Sequence, residues 1–278
     1  MEKRELVLAH SPDSDDAFMF YGLATRKLRS RLVTLKHVLH DIETLNRNAL
    51  EGKFDVTAIS YHAYPFLAGQ YRLMATGSSM GDGYGPILVS PRLFAPEEVK
   101  GKKIAVPGLM TTAFLALKLF EPDIDPVVVP FDRIIEATRE GRADAGLLIH
   151  EGQLTYDREG LHRIADLGRW WRQKHDLPLP LGALVISRKL PCEIQSEVSK
   201  LVRRSVQYAM DHREEALSYA MQFARDMDAA LADKFVGMYV NDYTLDCGER
   251  GRRAIELLLR LGHESGAIPN RVELDFLP

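Results

Sequence analysis

Two stretches of the chain read alike although roughly 90 positions separate them. EGKFDVTAIS at residues 51–60 and EGRADAGLLI at residues 140–149 are each a helix end, a glycine, an aspartate and an apolar strand. What precedes them is also alike. In the first half a strand over Glu5–Ala9 passes through HSPDSDD to a helix over Ala17–Leu28, a strand over Val33–Val38, a helix over Ile42–Glu51 and a strand over Asp55–Ser60. In the second half KKIAVPGLMTTAFLALKLF supplies strand, loop and helix, PVVVP the next strand, and Asp132–Gly141 the next helix. A chain that writes βαβαβ twice is confined to an α/β fold of two lobes, because parallel strands need helical crossovers between them. Two strands beside Gly and Pro, in GDGYGPILVSP and LPLPLGALVISRKLP, read as the crossings between the lobes. Lobe 1 is then expected over residues 1–86 and 187–278, and lobe 2 over 87–186. Helices are expected near 193–211, 213–226, 229–239 and 248–262, packed on lobe 1, with Asp228 capping the third and Asp246 the fourth.

At 278 residues and 46% hydrophobic, the chain can bury a core without staples. A net charge of -3, from 36 basic and 39 acidic residues, gives no basic field for a phosphate backbone, so no nucleic-acid partner is expected. Cys192 and Cys247 match no metal or redox spacing, which implies reduced thiols and no metal site. Near the N-terminus only Leu6 to Ala9 run apolar before a polar turn, and nowhere do about 18 apolar residues follow one another. The expectation is a cytoplasmic protein with no membrane association. A homodimer is expected only because symmetric pairs are the commonest oligomers.

Parallel sheets place ligands beyond the carboxyl ends of their strands, so two such lobes should hold a ligand in the cleft between them. His150 and Tyr61 follow the two matched strands and occupy equivalent strand ends. An imidazole at a rigid strand end suits acid–base chemistry near neutrality, and it equally suits a hydrogen-bonded structural residue. Three loops should face the cleft: Ser11–Phe18, Pro107–Phe114, and IHEGQLTY with Glu151, Thr155 and Tyr156. The first two open helices, whose unpaired N–H groups attract anions, and Thr111 and Thr112 add hydroxyls at one of them. Asp13, Asp15 and Asp16 make the other loop acidic, so they cap the helix, hold ligand hydroxyls, or bind a divalent ion. An anionic ligand group should therefore prefer the threonine loop. Tyr156, Trp170 and Trp171 are placed either to stack on a planar ligand or to fill core. GDGYG lacks the Lys and Ser/Thr of a phosphate loop and precedes a strand, which excludes a nucleotide site there.

SPDSDDAFMFYGL, GYGPILVSP, KKIAVPGLMTTAFL, AGLLIHEGQLTY, DLGRWW, LPLPLGALV and YVNDYTLDCGERG, taken together and in this order, resemble the 1,4-dihydroxy-6-naphthoate synthase family of the futalosine route to menaquinone. The resemblance covers nearly the whole chain. It implies a type II periplasmic-binding-protein-like fold and a lyase-type enzyme without a cofactor. The implied reaction turns cyclic dehypoxanthine futalosine, an aromatic carboxylate, into 1,4-dihydroxy-6-naphthoate. It also implies His150 as the general base and matches Thr111, Thr112, Ser11 and Asp16 to the family's motifs, while Tyr61, Glu151 and Tyr156 are expected around the substrate from their places at the cleft. The first loop departs from the family's SPCPNDTFxF pattern: Asp13, Ser14, Asp15 and Ala17 replace Cys, Pro, Asn and Thr, while Ser11, Pro12, Asp16, Phe18 and Phe20 match. Two added acids would oppose a carboxylate unless they face hydroxyls or cap the helix. The alternatives are a solute-binding protein for a small carboxylate, which shares the fold without chemistry, and a paralogue such as chorismate dehydratase.

Overall fold

The computed structural model describes residues 3–224 and 227–277. The first half runs β1 (Arg4–His10), α1 (Ser14–Met19), α2 (Tyr21–Ala24), β2 (Val33–Leu39), α3 (Ile42–Leu50), β3 (Val56–Ser60), α4 (Tyr64–Leu67), β4 (Tyr71–Met74) and β5 (Ser79–Gly81). The next part runs β6 (Ile87–Ser90), β7 (Lys103–Val106), α5 (Thr112–Phe120), β8 (Asp125–Val128), α6 (Ile134–Arg139), β9 (Ala145–Leu148), α7 (Gly152–Thr155), β10 (His162–Asp166) and α8 (Leu167–His175). The chain closes with β11 (Leu179–Ser187), α9 (Cys192–Asp211), α10 (Arg213–Ala220), α11 (Ala229–Tyr239), α12 (Asp242–Leu245), α13 (Gly248–Glu264) and β12 (Phe276–Leu277).

Two sheets result. The larger is ordered β12-β4-β11-β3-β1-β2, with β5 also on β11, and the smaller is ordered β10-β6-β9-β7-β8. β1 lies between β2 and β3 in parallel, as β7 lies between β8 and β9. Beside β3 runs antiparallel β11, and beside β9 runs antiparallel β6. The doubled motif in the sequence is thus a doubled topology; β6, read as a crossing, belongs wholly to the smaller sheet and β11 wholly to the larger, and the chain passes between the sheets just before each of them. β11 belongs to the larger sheet from Leu179, so the chain is back in that sheet before the expected return at residue 187.

Local chemistry explains some of the element ends. Asp41 opens α3 by accepting the Thr44 N–H, and Asp228 opens α11 by accepting the Leu231 N–H, as its position predicts. Asp246 differs from expectation. Cys247 holds the capping position of α13, while the Asp246 carboxylate accepts the Gly248 N–H. The helix expected over Ala17–Leu28 starts earlier, at Ser14, with Asp15 and Asp16 in its first turn, and it breaks at Phe20 into two short pieces. The helix expected over 213–226 ends at Ala220, and residues 225 and 226 lie outside the described residues. In GDGYG, Gly81 and Gly85 serve close packing, whereas Gly83 takes a left-handed φ of 85°. A Cβ on Gly168, at the start of α8, would sit 1.8 Å from the Tyr84 carbonyl oxygen, so only glycine lets that loop cross the helix.

The C-terminal helices cover the first lobe, with α9 on α2, α10 and α11 on α1. α13 behaves differently, because it packs on β11 and also on α5 of the second lobe. Its Ala254, Ile255, Leu258, Leu259 and Gly262 form one buried stripe at helical spacing. Ile255, Leu258 and Leu259 join Tyr61 and Leu73 of the first lobe to Val106, Leu115 and Leu147 of the second in one apolar cluster. No helix among the described residues is long and apolar enough to cross a membrane.

Candidate active site

A cavity of about 840 Å³, open to solvent, lies between the two sheets. Its walls come from both lobes: Ser11 and the acidic residues at the start of α1, Ser60 at the end of β3, the start of α5, Gln153 of α7 and Tyr239 of α11. Strand ends and helix starts supply most of them, as parallel α/β topology requires.

Of the side chains singled out in the sequence, Ser11, Asp16, Thr111 and Thr112 line this cavity. The threonine hydroxyls are not free donors, however. Thr111 donates to the Gly108 carbonyl at 2.8 Å and accepts the Phe114 N–H as the cap of α5. Thr112 donates to the Leu181 carbonyl at 2.6 Å and accepts the His62 N–H. What the loop offers an anion is the backbone at the start of α5, where Thr112 and Ala113 stand in the first turn and their N–H groups have no helical acceptor. The loop is held from the other lobe. Glu43 of α3 accepts the Met110 N–H at 3.0 Å, and Asn46 donates to the Met110 carbonyl while bonding Ser60.

The opposite wall is acidic. Asp13 occupies the capping position of α1 without making a cap bond, and its Oδ1 is buried with no partner. Burial, and then the charges of Asp16 and Asp13, push the Asp15 carboxyl well above the usual carboxylate range. Burial also raises Asp16, to about 7, against the lowering pull of the Ser11 N–H that its Oδ2 accepts at 2.7 Å. His10 lies 3.8 Å away but offers no compensating charge, because burial and the neighbouring His37 press its pKa down to about 3.

His150 does not line the cavity, and its ring is 7% exposed. Nδ1 accepts the Gly152 N–H at 3.0 Å, which leaves Nε2 to carry the proton and donate to the Phe131 carbonyl at 2.9 Å. Glu151 is buried beside it, 3.8 Å from Nδ1, and is also off the cavity wall. Tyr61 is fully buried, shares a 2.6 Å hydrogen bond with Ser78 and has its phenol pKa raised by burial. Tyr156 packs on the cluster around Ile134 and Leu148. Trp171 is core, donating to the Pro178 carbonyl, and Trp170 meets Phe120 edge-on. The structure thus brings together the two loop motifs and leaves the aromatic residues out. It adds Gln153 and Tyr239, which lay unremarked inside IHEGQLTY and YVNDYTLDCGERG. No group of three or more His, Cys, Asp or Glu side chains among the described residues is placed to hold a metal ion.

The family model for menaquinone biosynthesis matches residues 6–264. The chain belongs to the menaquinone biosynthesis family. A 1,4-dihydroxy-6-naphthoate synthase of Thermus thermophilus is 41% identical over 91% of this chain and 92% of its own length. One from Streptomyces coelicolor is 36% identical over 97% of this chain and 96% of its own. A crystal structure of a protein from Archaeoglobus fulgidus superimposes with a TM-score of 0.91 at 46% identity, covering 95% of this chain and 98% of that one. The alkanesulfonate-binding protein of Xanthomonas axonopodis, at 14% identity, still reaches 0.72 over 99% of this chain and 97% of its own, which shows a periplasmic-binding-protein-like fold. As a member of the menaquinone biosynthesis family, the protein is an enzyme built on that binding-protein scaffold.

Proposed function

We propose that the protein converts cyclic dehypoxanthine futalosine to 1,4-dihydroxy-6-naphthoate, releasing the ribose-derived portion. The observation that carries this reading is the polarity of the cavity, with helix-start N–H groups on one wall and the acidic side chains Asp13, Asp15 and Asp16 on the other. That suits a ligand with a carboxylate at one end and hydroxyls at the other. The likeness to two relatives of that name over most of the chain supports it. The substrate carboxylate meets the N–H groups of Thr112 and Ala113, and the threonine hydroxyls shape the loop. A base then takes a proton from the sugar-derived ring, a carbon–carbon bond breaks, and the bicyclic ring becomes aromatic. Aromatisation supplies the driving force, so the protein contributes proximity and one placed base. A cytoplasmic location goes with this reading, and the free thiols of Cys192 and Cys247 fit a reducing compartment.

His150 is the proposed base. For this it exchanges the Gly152 N–H at Nδ1 for the substrate's proton, which requires the turn over residues 149–152 to swing toward the cavity when ligand binds. Asp16 is the second reading, because it already lines the cavity and its pKa near 7 is matched to proton transfer at neutral pH. Turnover of cyclic dehypoxanthine futalosine, followed by mass spectrometry, separates them. His150→Ala is expected to lose about 10²- to 10⁴-fold in kcat, with Asp16→Asn affected less. The reverse order assigns the base to Asp16. Substrate binding by the wild type without product would leave a solute-binding protein.

A further inference from the structure

We infer that the Gln153 carboxamide, oriented by Tyr239, is the donor that reads an oxygen on the hydroxylated, sugar-derived end of the ligand. The inference rests on the proposed substrate for the naming of that end, and on the cavity for the rest.

Among the described residues, two buried side-chain atoms of cavity-lining residues have no partner: Asp13 Oδ1 and Gln153 Nε2. One is an acceptor and the other a donor. Gln153 is 93% buried, being 7% exposed, and a carboxamide so placed ordinarily satisfies both ends. Its oxygen is satisfied, since Oε1 accepts the Tyr239 hydroxyl at 2.8 Å. Tyr239 keeps its proton, because burial raises its pKa above the ordinary phenol value, so its hydroxyl is able to donate to Oε1, and in this arrangement the amide nitrogen faces the other way. The bond also joins α7 of the second lobe to α11 over the first. The amide is therefore set by both lobes at once.

Elsewhere on the wall the hydroxyl protons of Thr111 and Thr112 are spent on the Gly108 and Leu181 carbonyls. The carboxylate end has the start of α5. The unpartnered Gln153 Nε2 and Asp13 Oδ1, both of residues on the cavity wall, then offer a donor and an acceptor to a group that both accepts and donates, as a hydroxylated ring does and a flat aromatic carboxylate does not.

The experiment compares two ligands on three proteins by calorimetric titration: cyclic dehypoxanthine futalosine and naphthalene-2-carboxylate, on wild type, Gln153→Glu and Gln153→Met. Gln153→Glu keeps the acceptor for Tyr239 and removes the donor, while Gln153→Met keeps volume without adding charge. Both variants are expected to bind the nucleoside-derived ligand about 10-fold or more weakly. Both should hold naphthalene-2-carboxylate within about 2-fold of wild type, since it never reaches the amide. Equal losses for the two ligands would make Gln153 a structural residue and overturn the inference, as would no loss for either. Failure of the proposed reaction is read separately, by mass spectrometry: wild type that binds without turning over, with the ligand-selective loss intact, sinks the reaction and leaves Gln153 as the reader. Turnover together with unselective variants does the opposite.

Discussion

Asp16 stores a pH dependence that melting can read. Its folded pKa of about 7 stands above the unfolded value of 3.8, so between those pH values the folded state holds a proton that the unfolded state has lost. Stability therefore falls as pH rises through that window, and the contribution is fully present only below it. A shift of that size corresponds to at most about 4 kcal/mol. Asp16→Asn keeps an oxygen for the Ser11 N–H and has no charge to bury. The variant is expected to melt higher than wild type at pH 8 by several degrees and to converge with it at pH 4. An unchanged difference across the range would show that Asp16 is ionised throughout. The same residue shows what single positions disclose in a sequence. Ser11, Asp16, Thr111 and Thr112 were legible because a loop opening a helix at a parallel strand end has one place to face. That the threonine hydroxyls are consumed by Gly108 and Leu181 was not legible, since both acceptors are backbone atoms whose positions tertiary packing sets. Nor was Gln153, because its meaning depends on Tyr239, 86 residues further along the chain.

At the scale of elements, α3 acts on the start of α5 across the cleft. Glu43 accepts the Met110 N–H, and a Cβ on Gly108 would lie 2.3 Å from the Glu43 carboxyl carbon. Gly108 is glycine because that carboxylate needs the space. Gly108→Ala must displace the Glu43 side chain and free the loop that aims the Thr112 and Ala113 N–H groups. We expect KM to rise about 10-fold, the worth of roughly one hydrogen bond, with kcat changed much less. A fall in kcat at constant KM would mean that the loop acts on the chemical step and not on the anion. Strands and helices were legible at this scale because each βαβ unit repeats its turn chemistry, down to the glycine and aspartate before β3 and β9. Less legible were the break at Phe20 and the early return of β11. The break at Phe20 has no local punctuation mark, and the prolines at the start of β11 mark a strand without saying which sheet it joins; both are fixed by what packs on them, α9 and α10 on the pieces of the first helix and β3 and β4 on either side of β11.

At the scale of the whole molecule, the two-sheet plan suggests two units that could melt separately, and the core argues otherwise. The largest apolar cluster runs from Leu73 and Tyr61 in one sheet to Val106 and Leu147 in the other, and α13 seals it with Leu258 fully buried between them. Separating the lobes would expose that stripe to water at roughly 25 cal/mol per Å², so neither lobe gains by persisting alone. We therefore expect one cooperative transition. Trp170 and Trp171 both lie on α8 of the second lobe, so tryptophan fluorescence reports that lobe, while far-ultraviolet circular dichroism reports the whole chain. The two melting curves should coincide, and Leu258→Ala, at a cost of about 2–5 kcal/mol, should move both together. Curves that part in the variant would place the boundary of cooperativity in the cleft and make α13 a lobe-1 helix only. Coincident curves mean that the two sheets unfold as one unit, because the cluster that α13 seals belongs to both of them and neither sheet can lose it alone.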